Sequence, residues 1–201
     1  MANPNAPFGF RPYKHGVGVG GRLNEYRLAS AYATDLFQGD VVKSDGSGNV
    51  AKAAATDAIL GVFWGVRYTA TDGSVVFKRN WVASTATQSG SIIYALVYDD
   101  PLQEYLVQSV GTTALTDQAD FTNLNTGTAG NATTGISAMQ AAATTGSLVQ
   151  WRISKVITAQ DKLPCRNAAG NPDFYDVGAN GLLVVRAVKH EALGSAAGVL
   201  V

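Results

Sequence analysis

Ile59-Leu60-Gly61-Val62-Phe63-Trp64-Gly65-Val66 is the stretch on which the fold reading turns. Eight residues without a charge are too few for a core helix of ordinary length, and the run is β-branched and aromatic, so it reads as a strand. Period two puts Leu60, Val62, Trp64 and Val66 on one face, with Gly61 and Gly65 on the other beside Phe63. Glycines spaced this way in a strand mark sharp bending or close backbone approach, as at the corner of a barrel.

Similar short apolar runs lie on both sides, each punctuated by a turn. Val41-Val42-Lys43, the loop Ser44 to Asn49 and Val50-Ala51-Lys52 read as a hairpin closed by glycines. Ser91 to Tyr98, Asp99-Asp100-Pro101 and Gln103 to Val110 read as a second hairpin. Val149, Trp151 and Ile153 alternate with Gln150, Arg152 and Ser154 as a half-buried strand, and Leu182 to Lys189 forms a last one. Many short strands with glycine turns indicate a mainly β protein, a small barrel or sandwich.

Two segments depart from this texture. Residues 1–38 form an extended N-terminal arm and its lead-in, ahead of a β-rich domain over 39–201. Pro4, Pro7 and Pro12 impose extended geometry, and the glycines from Gly16 to Gly21 oppose any regular element. Pro7, Phe8, Phe10, Arg11, Pro12 and Tyr13 are the candidate partner-binding residues, because an extended aromatic segment wants a groove. That groove belongs either to the arm's own domain or to another subunit. In the second case, deletion through Tyr13 leaves the body folded. The other segment, 111–147, is a long loop-rich insertion of Thr, Gly, Asn and Ala. Ser137-Ala-Met-Gln140 has capping-box spacing, which predicts one short helix continuing through Ala143.

Composition narrows function. The chain has 201 residues, 46% hydrophobic and only 15% charged, with a formal net charge of +0. A charge-poor surface suits a protein packed against neighbours. Binding nucleic acid requires a basic excess to displace counterions, so nucleic acid is not an expected partner. Lys and Arg are scattered along the chain, and no patch stands out. No apolar run approaches the ~20 residues of a membrane span, so no membrane partner is expected. The first residues lack the charged and apolar regions of a signal peptide. With Cys165 as the single cysteine, the chain has no intrachain disulfide.

The residues of catalytic chemistry do not assemble in this sequence. His15 and His190 lack metal-ligand spacing. Cys165 could act as a nucleophile with His190, but a lone loop cysteine is more often inert. The Gly16 to Gly21 pattern satisfies G-x-G-x-x-G only formally, because the proline-bearing run Arg11-Pro-Tyr-Lys-His15 precedes it and no parallel α/β pattern follows. Asp45 to Asn49 lacks the bidentate Glu of a calcium loop. Trp64, Trp81 and Trp151 fit core packing better than a sugar-binding face. The expectation is a protein that is not an enzyme and uses no cofactor and no metal.

Asn3-Pro-Asn-Ala-Pro-Phe-Gly-Phe-Arg-Pro12 resembles the N-terminus of structural proteins found near the major capsid gene of tailed bacteriophages, and the progression Gly39-Asp-Val-Val42, Gly48-Asn-Val50 and Ile59-Leu-Gly-Val62 resembles the β-barrel core of their capsid cement, or decoration, proteins. Asp117-Gln-Ala-Asp120 and Gly135-Ile-Ser137 extend the likeness more faintly. The resemblance implies a small β-domain on the capsid exterior that stabilises the shell by bridging neighbouring major capsid protein subunits. It also implies a homotrimer with an extended terminus clamping neighbouring capsomers, made in the host cytoplasm and carried on the virion. The residues also admit a receptor- or glycan-binding module, or a tail or neck component of the same virion.

Overall fold

A computed structural model describes residues 3–15, 21–145, 147, 149–167 and 169–193. The chain is mainly β, and most of its strands fall into two groups of six. In chain order these are β1 (Arg11–His15), β2 (Leu23–Leu28), β3 (Val41–Ser44), β4 (Asn49–Lys52), β5 (Gly61–Thr69) and β6 (Val75–Lys78). There follow β7 (Ile93–Tyr98), β8 (Gln103–Gln108), β9 (Phe121–Asn125), β10 (Gln140–Thr145), β11 (Trp151–Val156) and β12 (Leu182–Ala187).

Strands β3, β4, β2, β7 and β5 form a closed five-stranded barrel, sealed where Val41 and Val42 pair with Val62 and Gly61. The parallel pair is β4 with β2, and the other barrel pairs are antiparallel. β5 is long enough to do two jobs. Its first residues close the barrel, while Val66 to Thr69 run on to pair with β6. The second group is an open antiparallel sheet in the order β1-β8-β12-β11-β9-β10.

β5 corrects the simple alternation expected of it. A bulge falls between Phe63 and Gly65, so two residues there answer one on β7 and the phase flips. Val62 therefore packs outward against the open sheet, while Phe63, Val66 and Tyr68 fill the barrel. The two glycines do mark close approach. A Cβ on Gly61 would lie 2.1 Å from the carbonyl oxygen of Tyr98, and one on Gly65 would lie 2.9 Å from that of Lys78.

The hairpin over 41–52 forms, with Val42 opposite Lys52 and Ser44 opposite Val50. The one expected over 91–110 does not. β7 belongs to the barrel and β8 to the open sheet, so Asp99 to Leu102 is a corner between two layers. Asp99 ties that corner back to the barrel. Both its carboxylate oxygens accept from Asn24 Nδ2, at 2.8 and 2.7 Å, and Oδ2 also accepts from the Tyr26 hydroxyl.

Residues 137–143 carry no helix either. Gln140 to Thr145 is a strand, and Ser137 spends its hydroxyl accepting from the Met139 amide at 3.0 Å. Burial overrides the local capping signal, because Met139 and Ala141 sit in the core between the layers. The segment 111–147 thus supplies β9 and β10, whose Leu124, with Met139 and Ala141, fills space that the surrounding loops could not.

Two main cores result. One fills the barrel, with Leu36 and Trp81 of a short two-stranded ribbon plugging it. The other lies between barrel and open sheet and includes Phe10, Val41, Val62, Trp151, Ile153 and Val185. Trp151 and Ile153 are fully buried while Arg152 is exposed, as their alternation predicted, but Gln150, expected on the polar face, is buried too, where it accepts from the Leu124 amide and donates to the carbonyls of Ala54 and Asp57.

Candidate functional site

The N-terminal segment lies along its own domain. Asn3 Nδ2 donates to the carbonyls of Asp176 and Ala179, and the Asp176 amide returns a bond to Asn3 Oδ1. Gln108, fully buried, donates to the Pro4 carbonyl and accepts from the Ala6 amide. Phe10 is 1% exposed and stacks on Trp151 with ring centroids 4.7 Å apart.

The backbone is held as closely. Gly9 (φ +73°) crosses Gly39 (φ +97°), and the Phe10 amide donates to the Gly39 carbonyl at 2.9 Å. A Cβ on Gly9 would lie 2.6 Å from Ser137 Cβ and 2.8 Å from Gly39 O. Only glycine combines that backbone conformation with that proximity. After the crossing, Arg11–His15 joins the open sheet as an edge strand. Pro12 lacks an amide hydrogen, and it is tolerated there because an edge strand has one unpaired side and the ladder shifts between Pro12 and Lys14.

The six candidate residues thus take different places. Phe10 is committed to the core. Phe8 is half-buried against the cluster of Ile157, Tyr175, Leu182 and Val184, and the Arg11 guanidinium sits 4.5 Å above its ring. Pro7, Phe8, Arg11 and Pro12 border open space, and Tyr13 is exposed on the edge strand.

That open space is a groove made of two hollows of about 370 and 510 Å³, which share Phe8, Arg11 and Ile136 in their walls. The smaller hollow continues along Ala129, Asn131, Thr134 and Ser137. The larger one runs past Gln38, Gly39, Trp64, Arg79 and Tyr98. Trp64 meets Tyr98 edge to face at 5.3 Å. Of the three tryptophans, Trp81 and Trp151 are core residues, and Trp64 is the half-buried one that reaches the groove.

Arg11 and Arg79 are separated by most of the barrel in sequence, yet both line the larger hollow, and both are exposed. Among the described residues no carboxylate lines either hollow. Single-residue spacing had concealed this pairing, because the crossing at Gly9 and Gly39 is what brings Arg11 beside the end of the β6 strand. Trp64 was legible as an aromatic strand residue, but its exposure depends on the bulge in β5.

The remaining reactive groups do not converge. Burial raises the Cys165 thiol pKa, the reverse of an activated nucleophile, and the thiol packs by the cluster around Tyr175. His190 is buried by Ile59, where its Nδ1 accepts from the Ala192 amide at 3.1 Å and burial lowers its pKa. Among the described residues no group of three or more His, Cys, Asp or Glu could hold a metal ion, and no helix is long and apolar enough to cross a membrane. The fold and site define a barrel-and-sheet β protein with an open, aromatic, carboxylate-free groove. Comparisons with protein-family models, curated proteins and solved structures returned no match.

Proposed function

We propose that this chain is a structural virion protein that binds the outside of a tailed-phage capsid and stabilises it by bridging major capsid protein subunits. The observation that carries the reading is the groove. It is open and bordered by Phe8, Arg11 and Pro12, residues of the N-terminal stretch that resembles structural proteins found near the major capsid gene of tailed phages. The outward side of the docked segment then makes the contact, with Phe10 holding it in place from beneath. A released clamp is not needed.

A protein that binds only the assembled shell stabilises it by mass action, about 2.7 kcal/mol per site at 100-fold saturation. A homotrimer would add avidity by engaging several capsomers at once. The test uses capsids made without this protein, to which purified chain is added back. Co-sedimentation with a raised temperature of particle disruption is expected, and imaging should place the added density in threefold sets. Chain that stays in the supernatant at every concentration overturns the reading.

A further inference from the structure

We infer that the groove accepts an extended acidic segment of a partner protein, with Arg11 and Arg79 meeting its carboxylates. The inference rests on the docking role above in taking the partner to be a protein. Two exposed guanidinium groups face one hollow whose lining contains no acid. Neither has a carboxylate within 4.0 Å among the described residues, whereas Arg67 is satisfied by Glu25 and Lys52 by Asp40. Guanidinium presents paired donors that match a carboxylate in two-point geometry, so the two arginines are suited to acidic side chains or a chain terminus.

The rest of the lining favours peptide over the other anionic ligands. Trp64, Tyr98 and Phe8 give the groove an apolar lining that suits an apolar or proline neighbour of the acid. A neutral sugar would leave both guanidinium groups without an anion, and among the described residues the lining has no carboxylate to accept from its hydroxyls. Nucleic acid would need several more cations than two to gain from counterion release. Arg11 is also held over Phe8, which fixes its guanidinium beside the junction of the two hollows.

The experiment titrates full-length chain into an array of labelled eight-residue peptides at fixed ionic strength. Each acidic peptide is matched by its Asp→Asn or Glu→Gln counterpart, and sialyllactose and a single-stranded oligonucleotide serve as further probes. Acidic peptides should bind, their amide counterparts about tenfold or more weakly, since the charge-assisted hydrogen bonds to guanidinium are lost. Arg79→Glu should cause a similar loss with an unchanged melting temperature, because its side chain makes no hydrogen bond among the described residues. Arg11→Gln should do the same, and if that edge-strand variant fails to fold, Arg79→Glu decides. Equal binding of acid and amide, indifference to Arg79→Glu, absence of any peptide binding, or binding confined to the sugar or the oligonucleotide overturns the inference. Capsids decorated equally by Arg79→Glu and parent chain would sink the groove while leaving the virion role. Selective acidic peptides with undecorated capsids would do the reverse.

Discussion

Two short edge strands carry aromatic residues, and they have opposite fates. Arg11–His15 borders the open sheet and is led in by Phe10, which is 1% exposed. Val75–Lys78 hangs from the far half of β5 with Val75 and Phe77 at 64% and 65% exposure. In sequence the first reads as an extended aromatic arm in want of a groove. What separates them is the layer opposite. The N-terminal segment crosses the seam between barrel and sheet, where Trp151 waits. β6 lies beyond the closed part of the barrel, and among the described residues none covers Val75 or Phe77.

The sharpest way to break this contrast is Phe10→Ala. Removing a fully buried ring that stacks on a fully buried tryptophan should cost about 3–5 kcal/mol, read by chemical denaturation. Deletion through Tyr13 should weaken the body for the same reason and also strip β1 from β8, contrary to the expectation of a domain indifferent to its arm. A denaturation midpoint unchanged by Phe10→Ala would mean that the segment is merely laid on the surface.

A second test contrasts glycines in a packed and an open place. Gly61→Ala directs a methyl at the Tyr98 carbonyl, 2.1 Å away, so backbone must move and the barrel seam with Val41 and Val42 is strained. Overpacking of this sort typically costs about 1–3 kcal/mol, sometimes more. Gly46 has nothing within 4 Å, and only its φ of +78° opposes alanine, so Gly46→Ala should cost about 1 kcal/mol. Equal costs at both sites would remove the seam as the reason for glycine in β5.

The same residues explain what could be read in advance. The β character, the hairpin over 41–52 and the alternation at Trp151 depend on local pattern, and local pattern suffices for them. The bulge at Trp64, the layer change after Tyr98 and the strand at Gln140 depend on partners far along the chain. Ser137 could signal a helix start because nothing within a few residues reveals that Met139 will be buried beneath the barrel. For the site, the border residues Phe8, Arg11 and Pro12 were legible as an aromatic, proline-fixed stretch. Arg79 and Tyr98 were not, since their approach to Arg11 is created by the Gly9–Gly39 crossing.

A third test concerns how the two layers are joined at Asp99. Burial, then the hydrogen bond and charge of Asp99, push the Tyr26 hydroxyl up to about 12. A phenol with a raised folded pKa contributes stability that is fully present below its ordinary value of about 10 and is lost as pH rises through the folded value. Stability should therefore begin to fall near pH 10 and go on falling toward 12, and Tyr26→Phe should flatten that limb. The effect should be smaller than either packing change, because Tyr26 is only partly buried. An alkaline limb identical in Tyr26→Phe would assign it to other groups.

The smallest expected effect is at the second edge strand. Phe77 lies opposite Arg67, which is already engaged by Glu25 and stacked over Tyr94. With its ring mostly in water, Phe77 gives little to folding, so Phe77→Glu should change stability by no more than about 0.5 kcal/mol. Its consequence should appear elsewhere. An apolar edge strand is a template for pairing with another chain, and a charge placed on it discourages such pairing. Light scattering at increasing concentration should then show less association for Phe77→Glu than for the parent chain. A loss of stability above 1 kcal/mol at high protein concentration, absent on dilution, would instead mean that a second copy covers this strand, and the difference between the two edges would be a property of the monomer alone.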